Sequence, residues 1–370
     1  MNAPKPLLEL TDLGVSIWLD DLDRNRLESG GLAGLVANRC VRGVTTNPSI
    51  FEKAISSGAD AYAADLKACA AAGADTDAAI RRLTTDDVRA ACDVLRGVWE
   101  SSNHIDGRVS IEVDPRLADD TDTTIAQALE LWATVDRPNA LIKIPATRAG
   151  LPAITAAIAA GVSVNVTLIF AVERYLEVVN AYEEGLRQAA ANGRDLSMIH
   201  SVASFFVSRV DATVDARLDA LATDEAAALR GRAAIANARL AWAAHLDSLS
   251  SPSWQALAVQ GAHPQRPLWA STGVKDPAYD DTRYVIDLAV DGCVNTMPEP
   301  TLDAVADHGK VTGDTVTGTA QASAIVWQQL EALGISEAAV CHELEVEGVA
   351  KFIAAWEQLR ATVASAMAAE

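Results

Sequence analysis

Eight short apolar runs constrain this chain more than any other feature. They lie at 15–20, 43–48, 109–115, 140–145, 162–169, 199–204, 267–272 and 292–296, and most are followed by a helical stretch. β-Branched and aliphatic residues dominate them, and Pro48, Pro115 and Pro145 each close one, which is the pattern of buried strands. Helical stretches are predicted at 23–37, 121–134, 150–160 and 171–191, with Asp21 or Asp23 as the cap of the first. A longer one spans 48–104, interrupted at Gly58, Gly73 and Thr84, and 206–249 holds one or two more. The tail from 335 to 369 is predicted helical, with an apolar stripe through Val349, Phe352, Ile353, Trp356 and Leu359. Strands alternating with helices make a parallel sheet. Eight such units, with no linker or repeat between them, predict a single (β/α)8 TIM barrel over residues 1–370, with extra helices and a C-terminal helix. A doubly wound sheet is the alternative.

The run Ala140-Leu141-Ile142-Lys143-Ile144-Pro145 places a lysine inside a strand. Burying its charge unpaired costs several kcal/mol, so it needs a partner or a task. It does not stand alone. The strand ends carry, in order, Asp20, Thr45-Thr46-Asn47, Glu112, Lys143, Asn165 with Thr167, Ser204, Ser271-Thr272 and Asn295-Thr296. In a parallel barrel those ends converge on one mouth, where barrel enzymes hold their chemistry. Turn chemistry accounts for Thr272 and Asn295, but not for Glu112 and Lys143, which apolar residues flank. A structural ion pair of Lys143 with Glu112 or Asp20 is the competing reading, and Asn165 and Ser204 would then be ordinary hydrogen-bonding residues. Arg209 follows Ser204-Phe205-Phe206-Val207-Ser208 at the start of a predicted helix. It is either a surface arginine or a phosphate ligand, which a helix N-terminus favours.

Composition excludes other classes. With 50 acidic against 30 basic residues the chain carries a formal charge of -20. That argues against nucleic acid and anionic membrane as partners, and an anionic substrate must be held by a local cluster of cations. No run of eighteen apolar residues is present, so no transmembrane helix is expected. The first residues lack the apolar core of a signal peptide, and five scattered cysteines without a CxxC spacing read as reduced thiols. Both readings point to the cytoplasm. Six histidines without HxH or HExxH spacing give no expected metal site. There is no Walker-type phosphate loop, and Gly30-Gly31-Leu32-Ala33-Gly34 is too compact for a dinucleotide fingerprint, so no cofactor is expected. A homodimer is left open.

Taken together, Thr45-Thr46-Asn47-Pro48-Ser49, Ile111-Glu112-Val113-Asp114, Leu141-Ile142-Lys143-Ile144-Pro145, Asn165-Val166-Thr167-Leu168 and Asn295-Thr296-Met297-Pro298 resemble the transaldolase family. They come in the family's order and span Asp20 to Leu302, nearly the whole barrel. The resemblance implies a class I aldolase-type barrel without metal or cofactor, acting on sugar phosphates. It makes Lys143 the Schiff-base lysine, Asp20 the acid/base at the sugar's C4 hydroxyl, and Glu112 a proton shuttle through a water that Thr167 helps to hold. Asn47 and Asn165 would bind the dihydroxyacetone part and Ser204 its hydroxyl. Arg209 would grip the phosphate, with Thr45, Phe206 and Ser271 also in the substrate-binding set. The chain departs from the family in two places. Ser271-Thr272-Gly273-Val274-Lys275 lacks the arginine of the usual Ser-Phe-Arg turn, so Lys275 is the expected substitute, and Phe205 stands where many relatives have proline.

The chemistry asks for these residue types. A neutral lysine amine condenses with a ketose carbonyl, and the iminium accepts the electrons of the breaking C–C bond. Neutrality requires a pKa below the ordinary ~10.4, which desolvation and nearby cations supply. A fructose 6-phosphate aldolase-like enzyme is the rival within the same chemistry. By resemblance it has Gln for Glu112 and Tyr for Phe206. A non-catalytic sugar-phosphate-binding barrel would keep Arg209, Lys275 and the asparagines, without needing Lys143, Glu112 and Asp20 together. A metal-dependent aldolase is disfavoured by the missing histidine spacing.

Overall fold

Strands follow chain order around a closed barrel in the computed structural model, which describes residues 3–368. They are β1 Ser16–Leu19, β2 Gly43–Val44, β3 Arg108–Glu112, β4 Ala140–Pro145, β5 Val164–Ile169, β6 Ser201–Phe206, β7 Arg266–Ala270 and β8 Val294–Met297. Every neighbouring pair is parallel, and β8 returns to β1. The fold is therefore a TIM barrel, and the doubly wound alternative is excluded by closure. β4, β5 and β6 are buried along their whole length, because one face meets the barrel interior and the other meets the helical ring. β2 is shorter than the predicted 43–48, since Asn47 already caps the helix Pro48–Ser57. Gly43 pairs with Trp18, and a Cβ there would lie 2.5 Å from the Trp18 indole. The ring of a fully buried tryptophan thus requires glycine at this position.

Helix boundaries differ from the sequence reading where local chemistry is decisive. The stretch 48–104 divides at Gly58 and Gly73 into Pro48–Ser57, Ala59–Ala71 and Thr76–Val94, followed by Arg96–Ser101. Thr84 does not break it. Its hydroxyl donates to the Ile80 carbonyl at 2.9 Å inside Thr76–Val94, so the helix continues past it. The stretch 23–37 is two helices, Arg24–Glu28 and Gly31–Asn38, separated by Gly30 at φ 76°. Asp23 is the cap, accepting from the Arg26 N–H at 2.8 Å. Residues 206–249 form Ser208–Leu221, Asp224–Ala227 and Ala233–Leu249. Lys5–Asp12, Glu299–His308 and Ala320–Ala332 are helices without a sequence-based counterpart.

The C-terminal helix runs Glu337–Ala368; residue 369, predicted to end it, lies outside the described residues. It packs on Pro48–Ser57 and crosses the end of β5. Close approach is made at Gly348, where a Cβ would lie 2.9 Å from Leu168 Cδ2 and 3.6 Å from Phe170. Leu168 itself sits at φ 62°, where the β5–β6 register shifts. Phe352, Leu359 and Val363, one turn or more beyond Gly348, are buried.

Candidate active site

Strand register assembles the centre. Glu112 of β3 lies opposite Lys143 of β4, and Lys143 opposite Asn165 of β5, so three polar side chains stand at one level on adjacent strands. The Lys143 and Glu112 side chains are 5% and 7% exposed, and Nζ lies 2.9 Å from Glu112 Oε1. Nζ also donates to the Thr46 carbonyl at 2.9 Å, and the Phe352 ring centre is 5.8 Å away. Burial pushes the Glu112 carboxyl up to about 7, while the neighbouring Lys143 charge pulls it down. A pocket of about 10 Å³ adjoins the pair and is lined by Glu112, Lys143, Thr167 and Phe352. That is of the order of volume one water needs. Thr167 Oγ1, buried beside it, has no hydrogen-bond partner among the described residues.

Asp20 follows β1 and accepts from Thr45 Oγ1 at 2.6 Å; Thr45 Oγ1 is also 2.6 Å from Thr296 Oγ1. The Asp20 carboxyl is raised above its ordinary range by burial, with the Lys143 charge and the Thr45 hydroxyl opposing. A second cavity, of about 250 Å³, brings Asp20, Thr45, Asn47, Lys143, Ser204 and Phe206 to one space. Arg209, Ser271 and Lys275 form its other side. Asn47 spends Oδ1 on the Ile50 N–H at 3.0 Å, which leaves its amide NH2 for a ligand. Ser204 Oγ donates to Asn165 Oδ1 at 2.7 Å, and Asn165 Nδ2 donates to Ser110 Oγ at 2.9 Å. Asn165 is fully buried and holds Ser204 through this bond; it is not among the residues lining the cavity.

Arg209 is the second residue of Ser208–Leu221, its guanidinium 5.1 Å from the Phe206 ring centre. Its Nη1 is buried without a hydrogen-bond partner among the described residues. Burial holds this guanidinium below its usual range, with Glu347 and Asp20 opposing. Ser271 adopts φ 57°, a left-handed conformation fixed by Ser208, whose N–H donates to the Ser271 carbonyl at 3.0 Å. Lys275 is exposed at the rim. Thr272 and Asn295 are structural: they donate to the Thr296 carbonyl at 2.8 Å and the Tyr284 carbonyl at 3.0 Å.

Lys351 and Phe352 of the C-terminal helix line the same cavity and were not among the sequence-predicted residues. The apolar stripe that contains Phe352 was legible, but a stripe says only that it is buried, not against what. Lys351 donates to Glu347 at 2.6 Å on the outer side. Among the described residues no group of three or more His, Cys, Asp or Glu is placed to hold a metal ion, and no helix is long and apolar enough to cross a membrane.

The family profile "Transaldolase/Fructose-6-phosphate aldolase" matches residues 17–363. A transaldolase of Thermobifida fusca is 58% identical over 364 residues, covering 98% of this chain and 99% of its own. Transaldolases of Mycolicibacterium smegmatis and Mycobacterium tuberculosis are 60% and 58% identical, covering 95% and 97% of this chain and 95% and 96% of their own. With its barrel matched throughout and its relatives similar from end to end, the chain belongs to the transaldolase/fructose-6-phosphate aldolase family, as a transaldolase, a transferase.

Proposed function

We propose that the transfer runs through a Schiff base on Lys143. The unit moved is dihydroxyacetone, from sedoheptulose 7-phosphate or fructose 6-phosphate to glyceraldehyde 3-phosphate or erythrose 4-phosphate, an exchange of the pentose phosphate pathway. The carrying observation is a lysine amine buried at the barrel mouth, 2.9 Å from an equally buried carboxyl. The amine adds to the ketose carbonyl, and Glu112, through a water in the small pocket, protonates the departing hydroxyl to give the iminium. With a carboxyl titrating near 7, Glu112 both gives and takes a proton at neutral pH. Asp20 then removes the C4 hydroxyl proton, the C3–C4 bond breaks, and its electron pair enters the iminium to form an enamine. The aldose leaves, a second aldose accepts the enamine carbon, and Asp20 returns the proton. Hydrolysis of the iminium reverses the first step.

Asn47 and Ser204 hold the hydroxyls of the three-carbon unit, and Asn165 fixes Ser204. Arg209 takes the phosphate, Lys275 assists from the rim, and Phe206 packs under the guanidinium. Glu112 and Phe206 favour transfer over simple aldol cleavage. A phenol at 206 would bring a proton source to the enamine, whereas the Phe206 ring keeps that side dry. The five cysteines are free, four of them buried, as suits a reducing cytoplasm.

Borohydride reduction in the presence of fructose 6-phosphate tests the reading. A three-carbon adduct on Lys143 alone is expected, and it should diminish when erythrose 4-phosphate is added. An adduct elsewhere would sink the Lys143 assignment, and indifference to the acceptor would favour the aldolase-like reaction. Lys143→Ala should lose turnover with an unchanged circular dichroism spectrum.

A further inference from the structure

Two elements bring cations to the 250 Å³ cavity from its far side. Arg209 stands at the start of the helix Ser208–Leu221, and Lys275 stands on the loop 271–282 that follows β7. The distance between them is set by how the loop is held against the helix. At the near end the Ser208 N–H donates to the Ser271 carbonyl at 3.0 Å, and the two hydroxyls are 3.0 Å apart. Beyond Lys275 the loop is tied to the same helix twice more.

The first tie is Tyr279. Its hydroxyl donates at 2.6 Å to Asp215, which is two turns along the helix from Arg209 and 6% exposed. The other Asp215 oxygen accepts from the Gly231 N–H at 2.8 Å, so the carboxylate is fixed from both sides. The Arg283 guanidinium lies over the Tyr279 ring, 4.4 Å from its centre, and bonds to the Gly231 carbonyl. Gly231 adopts φ 67°, and a Cβ there would lie 2.8 Å from Tyr279 Cζ, so the ring is seated against glycine. The second tie is Arg230. It pairs with Asp219 of the helix and donates at 2.8 Å to Asp276, the residue after Lys275. A turn joins the two ties: Asp276 accepts the Ala278 N–H on its side chain at 2.9 Å and the Tyr279 N–H on its carbonyl at 3.1 Å.

This arrangement has two effects on Lys275. Held on both sides, at Ser271 and at Asp276 with Tyr279, its backbone keeps a fixed place relative to Arg209 and does not pay ordering entropy when an anion arrives. Arg230 also offsets the charge of Asp276, which would otherwise repel a phosphate at the neighbouring lysine. None of Asp215, Arg230, Asp276 and Tyr279 lines the cavity, so none acts by touching the sugar. We propose that these ties clamp the loop to the helix at the spacing that lets Arg209 and Lys275 share one phosphate, and that Tyr279 and Arg230 are positioning residues for phosphorylated substrates. This role rests on the reading that Arg209 and Lys275 take the phosphate.

Tyr279→Phe removes one hydroxyl and keeps the ring under Arg283. KM for fructose 6-phosphate should rise about three- to tenfold, the range of one net hydrogen bond, with kcat and the KM for unphosphorylated fructose nearly unchanged. Lys275→Ala should raise the same KM, and adding Tyr279→Phe to it should raise it no further, because no lysine is left to place. Arg230→Gln should also raise KM for the phosphorylated sugar, by a ratio to wild type that shrinks as salt is added and screens Asp276. Additive effects of Tyr279→Phe and Lys275→Ala, an equal rise in KM for fructose, or a loss of Tm with unchanged KM would overturn the clamp and leave the phosphate reading standing. An unchanged KM in Lys275→Ala would overturn that reading, and the clamp with it.

Discussion

At the scale of single residues, Glu112 is the group whose environment says most. Its carboxyl is raised from 4.5 to about 7 because burial disfavours the anion more than Lys143 stabilises it. The catalytic consequence is an alkaline limb: kcat/KM should fall above about pH 7 as Glu112 loses the proton it gives to the departing hydroxyl. Glu112→Gln should abolish that limb and cost roughly 10²–10⁴ in kcat. A retained limb would assign it to another group. The stability consequence has a definite sign. Between pH 4.5 and about 7 the folded state holds a proton on Glu112 that the unfolded chain has lost. Stability therefore falls through this window as pH rises. The Tm of Glu112→Gln minus that of the wild type should increase across the same window, and a flat difference would contradict the raised carboxyl. Lys143 and Glu112 were legible in sequence because each interrupts an apolar run. Asn165 was legible too, but its bond to Ser204 was not, since alternation along a strand does not tell which partner a side chain meets.

At the scale of elements, the C-terminal helix Glu337–Ala368 is the part whose function the sequence left unread. Its apolar stripe was plain. Only packing shows that the stripe lies across the end of β5 and carries Phe352 and Lys351 to the cavity. Gly348 is the point of contact, 2.9 Å from Leu168 Cδ2 for a hypothetical Cβ. Gly348→Val would force the helix outward, with an overpacking cost of ~1–3 kcal/mol. The expected outcome is a lower Tm together with a lower kcat and a higher KM, because Phe352 withdraws from Lys143. A variant that loses stability but keeps both kinetic constants would remove the helix from the catalytic description. Helix breaks at Gly58 and Gly73 were readable from glycine chemistry. Thr84 misled because its hydroxyl, free to bend the backbone in isolation, is satisfied within the helix by Ile80.

At the scale of the whole molecule, a chain of net charge -20 recruits anionic substrates against its own field. Arg209, Lys275 and Lys351 join Lys143 as the cations gathered at the cavity. Lys275→Ala with Lys351→Glu should therefore raise KM for fructose 6-phosphate and leave KM for unphosphorylated fructose nearly unchanged. Equal effects on both sugars would place these lysines outside phosphate binding. The sequence by itself determined the eight-stranded barrel and the polar ring at its mouth. Period, composition and strand-end chemistry are local properties, and the closure rule for parallel units leaves few alternatives. Tertiary structure alone decided which helix covers the mouth, which asparagine faces the cavity, and that the loop carrying Lys275 is tied through Tyr279 and Asp215 to the helix carrying Arg209. Those relations join residues up to hundreds of positions apart, through strand register and helix docking, and no local pattern encodes them.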